Sequence, residues 1–103
     1  MKVLGVKEQT LMDHGAVSED TAREMAAGAR SLLGTDTAIA VTGIAGPGGA
    51  VPGKPVGLVY IAVADGPRIV VSRNVFEGNR DDVRRSTVST SLELLEELLR
   101  GVL

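Results

Sequence analysis

Hydrophobic and polar positions recur along this chain in two rhythms, helical and extended, and each predicts its own elements. In AVSEDTAREMAAGARSLLG (16–34), Ala22, Met25, Ala26, Ala29 and Leu33 fall on one face at the helical period. Ser18 stands where an N-cap is needed, Glu19 and Asp20 suit the positive end of the helix dipole, and Gly34 supplies a stop. Two continuous apolar runs follow, TAIAVT (37–42) and VGLVYIAVA (56–64). Their β-branched residues and short length predict strands, and the second, apolar on both faces, belongs in the centre of a sheet. Asp65-Gly66 is a tight hairpin signal. In RIVVSRNVF (68–76), Ile69, Val71 and Val75 alternate with Arg68, Ser72 and Asn74, the pattern of a strand with one solvated face at an edge. The helical period then returns from about Arg80 to Arg100. Asn79 is placed as its cap, and Asp81 and Asp82 lie in its first turn. Val83, Thr87, Leu94 and Leu98, beside Leu92, Leu95 and Leu99, predict a broad apolar face. A short helix at 7–14, stopped at His14-Gly15, precedes all of these.

The order helix, helix, strand, loop, hairpin, helix predicts an α/β layered domain, and 103 residues suffice for one domain rather than two. Three strands between two sizeable helices make a thin sheet, expected to be incomplete in this chain alone. Composition narrows the picture. With one Phe, one Tyr and no Trp, the core must be aliphatic. A net charge of −2 leaves no basic footprint for nucleic acid or an anionic membrane. The absence of cysteine excludes disulfides, thiolate metal sites and a cysteine nucleophile. No apolar run reaches the length of a membrane span, and MKVLGVKEQ turns polar too soon for a signal peptide. The expectation is a soluble cytoplasmic protein.

The most unusual stretch is AVTGIAGPGGAVPGKPVG (40–57), a long glycine- and proline-rich loop between two predicted strands. Gly43 and Gly48 have the spacing of a P-loop, but Gly49-Ala50 follow where Lys-Ser/Thr is required. Gly46 and Gly48 begin a dinucleotide fingerprint, but Val51 stands where its third glycine belongs. What remains is a run of backbone N–H groups without Cβ shielding, suited either to a long structural turn or to close approach by an anion or a flat ring. Lys54, at the loop's exit, either neutralises a ligand phosphate or stands solvated. Arg80 and Arg84, one helical turn apart, either clamp an anion or form a solvated face answering Asp81 and Asp82. His14, the only histidine, reads as a helix terminus, Tyr60 as core, and Glu93, Glu96 and Glu97 as a solvated helix face with no histidine companions for a metal. No nucleophile elbow or Ser-x-x-Lys motif is present.

LGV (4–6), HGAVSED (14–20), MAAGAR (25–30), AVTGIAGPGG (40–49), KPVGLVYIAVA (54–64) and GNRDDVRR (78–85), in this order and spacing, together resemble the C-terminal domain of the CinA family. TGIAGPGG followed by KPVG is the most specific part of that signature, and the resemblance covers essentially the whole chain. It implies a layered α/β/α fold with a small mixed sheet, a tendency to self-associate, and a nicotinamide-nucleotide amidase. Such enzymes hydrolyse nicotinamide mononucleotide to nicotinic acid mononucleotide and ammonia in pyridine nucleotide salvage. Members occur alone or behind a molybdopterin-binding-like domain and are linked by name to competence and DNA damage. The resemblance assigns substrate contact to Thr42, Gly43, Ile44, Ala45, Gly46, Pro47, Gly48 and Gly49, with Lys54, Arg80 or Arg84 for the phosphate. It assigns no cofactor and no metal. Its reacting groups, a serine in an SCTGG-like motif and a tyrosine and lysine in a YSN..K-like motif, would lie upstream of Met1, so no catalytic residue is expected within these positions. The expectation is a homo-oligomer that binds a small nicotinamide nucleotide but is inactive alone. The alternative is a non-catalytic nucleotide-binding or oligomerisation module.

Overall fold

A computed structural model describes residues 9, 12, 15, 17–44 and 54–101. Helix α1 spans Glu19–Leu33. Strands β1 (Thr37–Gly43), β2 (Leu58–Asp65) and β3 (Arg68–Val75) follow, and helix α2 (Arg80–Leu99) closes the series. Gln9 and Met12 are helical, while the rest of the expected first helix, His14 included, lies outside the described residues.

Local chemistry sets the element ends as expected. The Ser18 hydroxyl accepts from the Thr21 N–H, and Gly34, in left-handed conformation, ends α1. At α2, Asn79 and Asp82 form a reciprocal capping box: the Asn79 side chain accepts from the Asp82 N–H, and the Asp82 carboxylate accepts from the Asn79 N–H, both at 2.9 Å. α2 has no basic residue in its last turn. Arg68, from β3, reaches across to donate to the Leu98 carbonyl at 3.0 Å and to Asp65 at 3.1 Å, tying the hairpin turn to the end of α2.

The sheet order is β1-β2-β3, with both pairings antiparallel. A small mixed sheet was expected, and no parallel pair occurs among the described strands. The reason is local: the Asp65-Gly66 turn folds β3 straight back on β2, and the 44–57 loop returns β2 beside β1.

β2 separates two apolar layers. Its even positions, Ala62 and Ala64, meet Ala22 and Ala26 of α1 and Ala40 of β1, with Met25, Ala38, Tyr60, Ile69 and Val71 around them. Its odd positions, Val59, Ile61 and Val63, meet Val83 and Leu98 of α2, with Val70, Phe76, Leu94 and Leu95 around them. The order is therefore α/β/α, and β2 is apolar on both faces because both are covered. Alanine on the α1 side lets that helix approach the sheet closely, whereas branched side chains fill the α2 side. The α2 face is narrower than its sequence predicts: Leu92 and Leu99 stand 59% and 55% exposed, and Val88 61%. α2 packs chiefly on β2, so apolar residues beyond that contact have no described neighbour to cover them.

Candidate functional site

Beside β1 the α2 layer leaves a gap. Ile39 and Val41 point to the same side of the sheet as α2 yet remain more than a third exposed. The gap deepens toward the end of β1 into a cavity of about 380 Å³ lined by Val41, Gly43, Val59, Val83, Arg84, Thr87 and Val88. Its walls are almost wholly apolar. Thr87 does not change that, because its hydroxyl donates to the Val83 carbonyl at 2.7 Å and is occupied within the helix. Arg84 is the one cationic residue in its lining.

Gly43 shapes the floor. A Cβ there would come within 2.8 Å of the Leu58 carbonyl oxygen and 2.9 Å of Val59 Cγ2, so only glycine lets the end of β1 lie this close to β2. The loop leaving Gly43 is pinned at its base. Ile44 donates to the Leu58 carbonyl at 2.9 Å, and Gly57 donates to the Ile44 carbonyl at 2.6 Å. Gly57 has φ +91°, and a side chain there would collide with the Phe76 carbonyl oxygen. Entry and exit of the glycine-rich loop are thereby clamped side by side.

Of the residues that sequence singles out, the structure brings Gly43 and Arg84 into one cavity. Thr42 and Ile44 flank Gly43 on the chain, and Ala45, Gly46, Pro47, Gly48 and Gly49 lie outside the described residues. Arg80, one turn before Arg84, is exposed and is not among the lining residues. Lys54 goes elsewhere: its Nζ lies against Gly15, near the start of α1, where a Cβ on Gly15 would meet it at 3.0 Å. Lys54 and Arg84 thus serve different places. The alternative, a solvated face answering Asp81 and Asp82, keeps its solvated part, since Arg84 is exposed. Asp82 is taken by Arg85 at 3.1 Å, and Arg84 has no ion pair among the described residues. The Asn79 N–H, and secondarily Arg85, hold the Asp82 carboxyl below its ordinary range.

Sequence reasoning did not single out Val41, Val59, Val83, Thr87 and Val88 as lining residues. A signal existed in the helical spacing Val83-Thr87-Val88 beside Arg84, but only the placement of α2 over the end of β1 turns it into a wall. Among the described residues no cluster of three His, Asp or Glu side chains could hold a metal ion, and no helix is long and apolar enough to cross a membrane.

The match to the CinA C-terminal domain model runs over residues 1–99. The chain belongs to the CinA C-terminal domain family. It is 52% identical over 99 residues to a CinA-like protein of Endomicrobium trichonymphae, covering 96% of this chain and 23% of that one. It is 45% identical over 100 residues to a putative competence-damage inducible protein of Caldanaerobacter subterraneus subsp. tengcongensis, covering 97% and 24%. Among solved CinA-type structures, the competence damage-inducible protein A (ComA) of Klebsiella pneumoniae superposes with a TM-score of 0.90 at 39% identity, over 96% of this chain and 62% of that one. The competence/damage inducible protein CihA of Agrobacterium tumefaciens gives 0.87 at 43% identity, over 92% and 59%. The chain thus spans about a quarter of the curated CinA relatives it matches and about three fifths of the solved ones.

Proposed function

We propose that this chain carries the nucleotide-holding part of a nicotinamide mononucleotide deamidase domain, acting in cytoplasmic pyridine nucleotide salvage. The observation that carries the reading is the cavity between β1 and α2: apolar walls, a backbone floor at Gly43, and one cationic residue, Arg84, in its lining. A flat, weakly polar ring seats against Val41, Val59, Val83 and Val88, and an anionic group meets Arg84. A nicotinamide nucleotide has both parts. The cavity's size lies in the ordinary range for small-molecule sites, roughly 300–1,000 Å³. The glycine-rich loop leaves and re-enters at Ile44 and Gly57, which are hydrogen-bonded to each other at this end of β1.

Binding and bond cleavage separate in this reading. Hydrolysis of the carboxamide needs a nucleophile and a base to activate it. The serine, tyrosine and lysine implied by the CinA resemblance match no position of this sequence. The chain therefore holds the nucleotide and, by itself, leaves the amide intact. It works as a homo-oligomer, with no nucleic acid, membrane or cofactor in its role. The second reading, a binding or oligomerisation module with no part in hydrolysis, draws on the same absence of reacting groups.

The test combines calorimetry with an ammonia assay on the same preparation. Nicotinamide mononucleotide is expected to bind, with no ammonia released. Arg84→Ala weakens binding by about tenfold or more, as expected for the loss of a charge-assisted contact. Joining the chain to the unmatched part of the Agrobacterium relative should restore ammonia release; binding that persists without turnover in that chimera favours the module reading. No binding at millimolar nucleotide, or an affinity indifferent to Arg84, contradicts the assignment.

A further inference from the structure

Lys54 stands at the exit of the glycine-rich loop, yet it is not among the residues that line the cavity. Its Nζ lies against Gly15, beside the place a Cβ would occupy, and glycine at φ +77° leaves that place empty. Gly15 is tied in turn to α1, the helix on the opposite face of the sheet from the cavity. The Gly15 carbonyl accepts from the Thr21 hydroxyl at 2.7 Å and from the Ser18 hydroxyl at 3.2 Å. Thr21 and Ser18 are both buried, so the backbone that Lys54 leans on is held from beneath.

From Lys54 a short, stiff path runs to the cavity floor. Pro55 follows it, which restricts Lys54 to extended backbone and fixes the φ of Pro55 itself. The Pro55 carbonyl accepts from the Leu58 N–H at 3.1 Å, closing a turn. Within that turn Gly57 donates to the Ile44 carbonyl at 2.6 Å. Ile44 directly follows Gly43, the floor of the cavity. Every link after Lys54 is backbone, so the place where its ammonium is held decides how this turn meets Ile44.

We propose that Lys54 is a positioning residue: its ammonium, seated against Gly15, holds the exit of the glycine-rich loop to the start of α1 and so sets the cavity floor at Gly43, without touching the nucleotide's phosphate. In its bearing on nucleotide binding this rests on the function proposed above. The two cations that sequence could not rank then divide the work. Arg84 meets the anionic group, and Lys54 holds the backbone under the ring.

Calorimetry with two ligands and amide hydrogen exchange of the ligand-free chain test this together. Lys54→Met keeps the length and apolar stem of the side chain and removes the ammonium. It should weaken nicotinamide mononucleotide and nicotinamide riboside, the same ring and sugar without the phosphate, by one common factor of about fivefold or more. Arg84→Ala, by contrast, should weaken the mononucleotide alone. In the ligand-free Lys54→Met chain the Gly57 and Ile44 amides should exchange about tenfold faster, while those of β3 and α2 keep their wild-type rates. Thr21→Val, which removes a hydroxyl from the Gly15 carbonyl, should also speed exchange at Gly57 and Ile44, and its effect should not add to that of Lys54→Met. A loss confined to the mononucleotide would make Lys54 a phosphate ligand and overturn the proposal. Unchanged exchange at Gly57 and Ile44, faster exchange throughout the chain, or additive effects of the two variants would overturn it equally. A wild type that binds neither ligand contradicts the nucleotide reading alone, and the exchange rates then decide the positioning by themselves.

Discussion

The two edges of this sheet are built differently. β3 carries Arg68 and Arg73 along its length, and its outward Ile69 carbonyl is taken by the Arg23 guanidinium of α1 at 3.2 Å. Charged side chains and an occupied carbonyl are the ordinary protections of an edge strand. β1 has neither. It is uncharged, among the described residues no strand pairs with its outward side, and the layer over its α2 side stops short, leaving the apolar cavity. One edge carries charge and an occupied carbonyl, and the other borders the cavity and the base of the glycine-rich loop. The difference teaches that the openness at β1 does not come from a weak fold.

Several substitutions break or sharpen that contrast, and the centre of the sheet sets their scale. Ile61, fully buried between the two edges, should cost about 2–5 kcal/mol as Ile61→Ala in chemical denaturation, more than any edge change. Gly43→Val drives a side chain into the Leu58 carbonyl and Val59, and should cost about 1–3 kcal/mol while distorting the cavity floor. A Gly43→Val variant as stable as wild type would show that the end of β1 is free to move. Arg23→Ala uncovers the Ile69 carbonyl. Because that contact is exposed, its stability cost should stay near 0.5–1 kcal/mol, but the variant should self-associate more readily through β3. Unchanged association would mean that Arg68 and Arg73 guard the edge without it.

The smallest effect is in acid. Asp82 has a folded-state pKa lowered by the Asn79 N–H and by Arg85, so its contribution is complete above the ordinary value of 3.8 and is lost as pH falls through the lowered one. Asp82→Asn should therefore remove part of the stability difference between pH 5 and strongly acid solution, with the variant's melting temperature changing less over that range. An identical pH dependence in the two proteins would contradict the assignment.

How much of this was legible in the sequence follows the range of the interaction. The caps at Ser18 and Asn79, the stop at Gly34 and the turn at Asp65-Gly66 are decided within a few residues, and each appears where its local chemistry puts it. The double burial of β2 was legible too, because its apolar run is continuous. The exposure of Val88, Leu92 and Leu99 was not, because periodicity shows which residues share a face but not how much of that face a neighbour covers. The candidate site divides in the same way. Gly43 and Arg84 stand out by residue type, whereas Val41, Val59, Val83 and Val88 look like any core valine until α2 is set over β1. Arg80 and Arg84 look equivalent by spacing, and the orientation of α2 separates them.

On the proposed reading, the working side of the molecule is the cavity between β1 and α2. Titration of the ¹⁵N-labelled chain with nicotinamide mononucleotide, followed by amide chemical shifts, tests it most directly. The prediction is saturable shifts at Val41, Gly43, Val59, Val83, Arg84, Thr87 and Val88, with β3 from Arg68 to Val75 unmoved. Shifts concentrated along β3 and around Arg23, or none anywhere at saturating nucleotide, would contradict it.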